Sequence, residues 1–230
     1  ITKIWNRLAI ATLYGASESI NSFVRFFTSW LVFQFDSPDL WGAFVKVNIV
    51  VQLSSLFTGF GHRDYLLKLF SFEPSKIKEN WGINVVSRIP LLLVGIVVLF
   101  FLFDFRIFLL GSFWLSSHHF TNLFKVIVLF ERDFKFSLYT EIIGALILPL
   151  SIVIFLKSLT LEILIAGMAI GVFFKVALYV YRFGDFLNPT FLRFRWYPIK
   201  DSAPYFLPAL LGTIQARVDT YFIALYLENN

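Results

Sequence analysis

The chain has 230 residues, of which 58% are hydrophobic and 15% are charged, with 30 phenylalanines and a formal net charge of +5. A charged fraction well below the roughly 25% of soluble domains excludes a water-soluble globule and indicates a membrane protein with several spans. Because the sequence has no cysteine, disulfide frameworks, thiolate nucleophiles and zinc–thiolate sites are excluded as well.

Apolar runs long enough to cross a hydrocarbon layer of about 30 Å recur along the chain. They predict seven membrane-spanning helices, over residues 8–35, 40–60, 83–103, 107–130, 137–156, 160–181 and 202–227. The connectors between them are alternately tight and longer; the longer ones are 61–82, 131–136 and 182–201. The predicted fold class is therefore all-α, a polytopic transmembrane helical bundle.

The basic residues outside these spans are unevenly distributed. Most of them lie at the amino end and in the longer connectors, whereas the tight connectors carry only Arg106 and Lys157. By the positive-inside rule, the amino terminus and the longer connectors are cytoplasmic. The basic charge then reflects topology, and the sequence predicts no nucleic-acid partner. Aromatic residues interleaved with basic ones in the connectors 61–82 and 182–201 are typical of segments that lie in the membrane interface.

The first predicted span carries a polar face within an otherwise apolar helix. At 100° per residue, its polar side chains fall within about 120° of one another. They are Tyr14, Glu18, Asn21, Ser22, Arg25, Thr28 and Ser29. Glu18 and Arg25 each lie roughly 15 Å from the nearer interface, where a charge costs about 2.5 to 3.5 kcal/mol unless it is paired or hydrated. We therefore expect this face to look into the bundle.

Two further charges lie in the second and third spans. We expect Lys46 and Arg88 to extend toward nearby lipid headgroups, because a long side chain at such depth can snorkel. Lys46 also points away from the polar stripe of its own helix, which consists of Asn48, Gln52, Ser55 and Gly59.

The fourth span repeats the polar pattern of the first, with His118, Thr121, Asn122 and Lys125 on one face. Lys125 is near the predicted cytoplasmic end, so snorkelling is an alternative to a binding role there. His118 and His119 diverge by about 100°, which is unfavourable for two ligands of one metal. No metal site is therefore predicted. In the sixth span, the small-residue pattern over 167–171 predicts tight packing within the chain.

The seventh span resembles the first. Arg217 and Asp219 are two residues apart and point to nearly opposite sides of a helix, so each needs a different partner. Superposing Arg25 on Arg217 also pairs Thr28 with Thr220. This match predicts a parallel repeat of the kind found in transporters.

The chain begins at Ile1 and its single methionine is Met168, so we expect it to be a piece of a longer protein. Together with the repeat, this predicts two domains. Residues 1–200 form an N-terminal lobe of six spans, and residues 201–230 form the first span of a truncated second lobe.

Four features carry a resemblance to a known family. They are the polar first span; Leu-Trp-Gly-Ala-Phe at 40–44; Gly-Phe-Gly at 59–61 with His-Arg-Asp-Tyr-Leu-Leu-Lys after it; and Ala-Pro-Tyr-Phe-Leu-Pro at 203–208 with Arg-Val-Asp at 217–219. In these features the chain resembles the O-antigen and capsule repeat-unit flippases of the multidrug/oligosaccharidyl-lipid/polysaccharide exporter superfamily. The resemblance implies two six-helix lobes around a central cavity that contains Glu18, Arg25 and Arg217.

The resemblance also implies a function, the translocation of an undecaprenyl diphosphate-linked oligosaccharide across the bacterial inner membrane by alternating access. Arginine suits a diphosphate because the guanidinium is permanently charged and offers paired donors. Asn, Ser, Thr and Gln suit sugar hydroxyls, which both donate and accept. The predicted substrate-binding residues are Glu18, Asn21, Ser22, Arg25, Gln52, Asn122, Lys125, Arg217 and Asp219.

The expected partners are the lipid bilayer, the lipid-linked oligosaccharide, a polysaccharide polymerase and glycosyltransferases. Glu18 is either a proton or sodium coupling site or a counter-ion to Arg25. No catalytic residue, metal or cofactor is predicted.

Three alternatives compete with this interpretation. A multidrug or cation exporter of the same superfamily should have a more acidic cavity, whereas the deepest charges include two arginines against Glu18 and Asp219. A membrane-embedded glycosyl- or acyltransferase needs a catalytic acid or histidine with an orienting partner. His118 is the sole candidate for that role, and no HExxH, P-loop or dinucleotide glycine pattern is present. The third alternative is an ion-paired, packed bundle with no cavity.

Overall fold

A computed structural model describes the backbone of residues 2–35 and 38–228 and the side chains of residues 12–16, 19–20, 22–35 and 38–212. Over these ranges the chain is all-α, with no strand, which confirms the predicted fold class. In chain order the helices are α1 (Thr2–Phe35), α2 (Pro38–Gly59), α3 (His62–Phe72), α4 (Ile77–Ser87), α5 (Ile89–Leu102), α6 (Phe105–Glu131), α7 (Phe134–Ile154), α8 (Leu161–Phe183) and α9 (Tyr197–Glu228).

Every predicted span coincides with helix, but the boundaries differ in two places. The third span is broken at Arg88, which separates α4 from α5, and Pro90 occupies the first turn of α5. Proline is tolerated there because the first amides of a helix have no intrahelical acceptor. The long connector at 61–82 is itself mostly helical, since α3 and the start of α4 lie within it.

Four helical segments among the described residues are long and apolar enough to cross a membrane, which indicates a membrane protein. They are Pro38–Phe72, Pro74–Leu102, Phe134–Ile154 and Leu161–Leu187. Helix α6 has 27 residues and is long enough, but its run of Ser, His, Thr and Asn between 116 and 122 lowers its hydropathy. This polar run indicates that part of α6 faces other helices instead of lipid.

Five helices pack in a ring. Helix α1 packs on α7, α7 on α8, α8 on α6, α6 on α2, and α2 on α1. Helix α5 packs on α2 and α6, and α9 packs on α3, α2 and α4. Two apolar clusters fill the bundle, one around Phe44 and Trp114 and the other around Trp81, Phe124 and Tyr179. The polar residues of α6 lie along that helix between the two clusters.

The prediction that Arg88 snorkels is wrong, because this side chain is fully buried. Its Nε donates to Asn84 Oδ1 (2.9 Å), its Nη1 to the Gly59 carbonyl (2.5 Å) and its Nη2 to Ser202 Oγ (2.9 Å). The last carbonyls of a helix lack intrahelical partners, and Arg88 satisfies one of them at the end of α2. The guanidinium thereby joins α2, α4 and α9. Lys46, in contrast, is exposed.

The turn between α2 and α3 packs tightly on α9. Phe60 and Gly61 both have positive φ, 40° and 72°. A Cβ on Gly61 would lie 2.6 Å from the Ser202 carbonyl oxygen and 2.8 Å from the Phe206 nitrogen, so glycine is required by both conformation and space. The Phe60 and Phe206 rings stack with centroids 4.4 Å apart. Two of the stretches that carry the family resemblance are therefore contact partners, while the division into two lobes stays a prediction.

Small residues bring α7 and α8 into close contact. A Cβ on Gly144 would lie 2.7 Å from the Gly171 carbonyl oxygen and 2.5 Å from Lys175 Cγ. Gly167 lies against Ser151 in the same way. Small residues permit this approach of two helix backbones. The pattern over 167–171 therefore packs within the chain, as the sequence predicts.

We expect Gly144→Ala to lower the free energy of unfolding by about 1 to 3 kcal/mol, because the added methyl group overpacks the contact between α7 and α8. Gly42→Ala is the matched control, since a Cβ on this helical glycine meets no atom within 4 Å. That substitution should be neutral or stabilising by about 0.5 to 1 kcal/mol. Unfolding by sodium dodecyl sulfate in mixed micelles measures both values. Equal stability of the two variants would contradict the close packing.

Candidate functional site

Three helices meet at a buried group of charges. Glu141 on α7 accepts from two lysines: its Oε1 lies 2.8 Å from Lys125 Nζ on α6, and its Oε2 lies 2.5 Å from Lys175 Nζ on α8. The side chains of Glu141 and Lys175 are 1% and 8% exposed, whereas that of Lys125 is 27% exposed. Among the described side chains, two ammonium groups therefore share one carboxylate.

The packing of α7 on α8 explains how Lys175 reaches this position. Gly144 lies one turn after Glu141 on α7, and the carbon stem of Lys175 occupies the space that a side chain at Gly144 would fill. At 1.5 Å per residue, Glu141, Lys125 and Lys175 each lie roughly 9 to 12 Å from the same end of the bundle, where α6 ends and α7 begins. Charges at this depth are costly unless they are paired or approached by water.

Helix α1 adds a further positive charge. Arg25 is half-buried on α1, and α1 packs on α7, the helix of Glu141. We call Arg25, Lys125, Glu141 and Lys175 the basic interior. Among the side chains that the structure describes, this group holds three cations and one carboxylate. An excess of cations attracts anions.

A neutral polar network adjoins the basic interior. Ser55 Oγ on α2 lies 2.8 Å from His118 Nδ1 on α6, and Asn122 Nδ2 lies 3.0 Å from the same nitrogen. The amide of Asn122 also donates to Ser55 Oγ at 3.1 Å. Because the Asn122 amide nitrogen only donates, His118 Nδ1 is the acceptor. The polar stripe of α2 and the polar face of α6, both visible in the sequence, therefore face each other at Ser55.

A cleft of about 180 Å³ opens at the end of the bundle where α2 and α6 end and α7 begins. Its polar lining residues are Tyr14, His62, Arg63, Asn122, Lys125 and Ser137. Arg63 Nη2 donates to the Tyr14 hydroxyl at 2.9 Å. Asn122 and Lys125 belong to this cleft and also to the internal networks. The cleft therefore leads to the basic interior.

Comparisons with models of protein families, with curated proteins and with solved structures find no match. The resemblance to the flippases therefore rests on the residues of this chain.

The structure brings some of the predicted binding residues together and separates others. Asn122 and Lys125 lie side by side in the cleft, and Arg25 is half-buried on α1. Gln52 donates to Asn48 of its own helix at 3.4 Å. The side chains of the remaining predicted residues Glu18, Asn21, Arg217 and Asp219 lie outside the described ranges.

The polar face of α1 looks inward at most of its described positions. Thr28 is buried and donates to the Val24 carbonyl, while Tyr14, Arg25 and Ser29 are half-buried. Ser22 lies at one edge of this face and is exposed. The inward orientation predicted from the sequence is confirmed for these residues, but Ser22 does not contribute to the basic interior.

Sequence reasoning missed Glu141 and gave Lys175 no role. Each is a single charge within an apolar span. Two signals were present. Glu141 shares a helix face with Ser137, Thr140 and Gly144, at i, i+3, i+4 and i+7 spacing. Two buried charges of opposite sign in adjacent spans are also expected to pair, since neither is stable alone in the membrane. Arg63 and Tyr14 were also missed as site residues, because their contact depends on the fold.

Proposed function

We propose that this chain is part of a flippase that moves an undecaprenyl diphosphate-linked oligosaccharide across the bacterial inner membrane by alternating access. One observation carries the proposal: two lysines converge on a single buried carboxylate inside a bundle of apolar helices, so cations outnumber carboxylates among the described side chains there. Charged side chains inside a membrane are costly and usually mark a pathway for a ligand or ion. An anionic diphosphate headgroup is attracted by such a group of cations.

The neighbouring groups suit the rest of such a substrate. Ser55 Oγ and Asn122 Oδ1 can accept hydrogen bonds from sugar hydroxyls, since the donors of both side chains are used within the network. Exposed aromatic and aliphatic side chains on the outside of the bundle, such as Phe26, Phe101 and Leu150, suit contact with lipid. In this proposal the amino terminus and the cleft face the cytoplasm, where the substrate is made.

The competing functions find less support. A cation exporter needs an acidic site, but Glu141 is held by two lysines. A transferase needs a catalytic acid or a histidine with an orienting partner, whereas the partners of His118 Nδ1 are the neutral side chains of Ser55 and Asn122.

The test uses cells whose only copy of the protein carries Arg25→Ala or Arg217→Ala. We expect surface glycan to fall by at least about tenfold, because a charged hydrogen-bonding partner of the diphosphate is lost. The amount of protein in the membrane should not change. Lys46→Ala is the control, since Lys46 is exposed on α2 and should leave glycan display normal. Normal glycan display in both arginine variants would rule the proposal out.

A further inference from the structure

The cleft at the end of the bundle carries features that the proposed function does not use. Arg63 and Lys125 present two cationic side chains to one cleft. We propose that the cleft between Tyr14, Arg63 and Lys125 binds a phosphate-class anion, and that the bound anion draws Lys125 away from Glu141. This site shares Lys125 with the basic interior but also uses Tyr14 and Arg63, which the proposed function does not use, and binding of a free phosphate there does not depend on a flippase function.

Arg63 is well placed to hold an anion. Its guanidinium has no carboxylate partner among the described side chains, and its Nη2 donates to the Tyr14 hydroxyl. That bond fixes one edge of the guanidinium and leaves other N–H donors available. The Tyr14 ring is itself held by an edge contact with Phe134, with centroids 5.4 Å apart. A guanidinium fixed in this way is suited to bidentate binding of phosphate.

Lys125 supplies the second charge and links the cleft to the interior. It lines the cleft and is 27% exposed, while its ammonium contacts Glu141 Oε1. A neutral donor, the Ser137 hydroxyl, lines the same space. A cleft of about 180 Å³ has room for several water molecules or for one diphosphate group.

The contacts of Glu141 lower the free-energy cost of moving Lys125 away from it. Glu141 Oε2 is bound by Lys175 at 2.5 Å, so the carboxylate keeps a partner when Lys125 leaves. Leaving a buried charge without any partner is strongly unfavourable, and Lys175 prevents this for Glu141. The Lys125 ammonium group leaves the Glu141 carboxylate and pairs with the bound phosphate. As a result, anion binding in the cleft breaks the ion pair between Lys125 on α6 and Glu141 on α7.

Phosphate of this kind has two sources, the headgroup of a membrane lipid and a free phosphate in water. The chemistry of recognition is the same for both. The experiment therefore includes one arm for each source.

The lack of cysteine allows a clean test. The chain carrying Ser137→Cys is placed in phosphatidylcholine nanodiscs, and its reaction rate with a water-soluble maleimide is measured with and without inorganic diphosphate. We expect diphosphate to slow the reaction at least tenfold. Ser158→Cys, at an exposed position outside the cleft lining, should react at the same rate in both conditions. Isothermal calorimetry with inorganic diphosphate measures binding directly, whatever the reactivity of Ser137→Cys.

Variants that remove a charge test whether Arg63 and Lys125 bind the diphosphate. Arg63→Gln and Lys125→Gln should each weaken diphosphate binding about tenfold or more. Both variants should fold, because Arg63 is exposed and Glu141 keeps Lys175. Lys68→Gln is the matched control: Lys68 lies on the same helix as Arg63 but contacts the Phe72 and Tyr205 rings, and it should leave binding unchanged.

A second set of nanodiscs contains a polyprenyl diphosphate and no free diphosphate. Protection of Ser137→Cys in these discs identifies a lipid headgroup as the ligand, and protection by free diphosphate alone identifies a soluble one. Either result supports the site. Binding that persists unchanged in Arg63→Gln and Lys125→Gln, or no binding by calorimetry and no protection in either arm, overturns it. The glycan assay with Arg25→Ala tests the proposed function separately.

Discussion

Replacing Glu141 with glutamine is expected to lower the free energy of unfolding by about 3 to 5 kcal/mol, because it removes a buried carboxylate that is paired with a buried lysine. Lys175 is 8% exposed and has no route to water comparable with that of Lys125. The neutral amide of glutamine cannot balance the ammonium charge. Unfolding by sodium dodecyl sulfate in mixed micelles provides the measurement.

Two further variants separate the ion pair from a general effect of substitution. Glu131→Gln removes an exposed carboxylate at the end of α6 and should change stability by about 0.5 kcal/mol or less. Glu141→Gln combined with Lys175→Met removes both buried charges and should recover most of the lost stability. If Glu141→Gln were as stable as Glu131→Gln, the buried pairing would be wrong.

Arg88→Gln is expected to lower the free energy of unfolding by about 2 to 4 kcal/mol, since it removes three hydrogen bonds from a charged, fully buried donor. The loss should be largest where α9 meets the rest of the chain, because Arg88 donates to Ser202 there. Hydrogen exchange of the backbone amides of residues 200–206 should therefore become faster than in the unmodified chain.

Arg182→Gln is the matched control for Arg88→Gln. Arg182 pairs with Asp133 at 3.1 Å, and its side chain is 54% exposed. Exposed ion pairs contribute about 0 to 1 kcal/mol, so this variant should leave the exchange of residues 200–206 unchanged. Faster exchange in Arg182→Gln but not in Arg88→Gln would show that Arg88 does not hold α9.

Apolar runs predicted the helices well, because hydrophobicity over about 20 residues is a local property of the sequence and such a run matches the thickness of the hydrocarbon core. The break at Arg88 was harder to anticipate. Two of its acceptors lie 29 and 114 residues away in sequence, so its burial depends on the packing of α2 and α9. Only Pro90 gave a local sign, since proline in a helix interior breaks the hydrogen-bond pattern.

The candidate site was predictable only where its residues follow a local pattern in the sequence. Asn122 and Lys125 belong to a polar face with helical spacing, and this periodicity marked them. Glu141 shares a shorter polar face with Ser137 and Thr140, but its partner Lys175 lies 34 residues away. The cleft also needs Tyr14 and Arg63, which are 49 residues apart. Contacts of this kind follow from the arrangement of helices, which a single sequence does not reveal.

The account depends on the entry of an anionic lipid headgroup into the basic interior. The most direct test is photocrosslinking in native membranes with a polyprenyl diphosphate that carries a diazirine beside its diphosphate. We predict that the modified peptides come from residues 118–125 of α6 and from the part of α1 around Arg25, and that Arg25→Ala reduces this labelling. Labelling confined to the lipid-exposed face of α5, at residues such as Leu93 and Phe101, and unchanged by Arg25→Ala, would contradict the account.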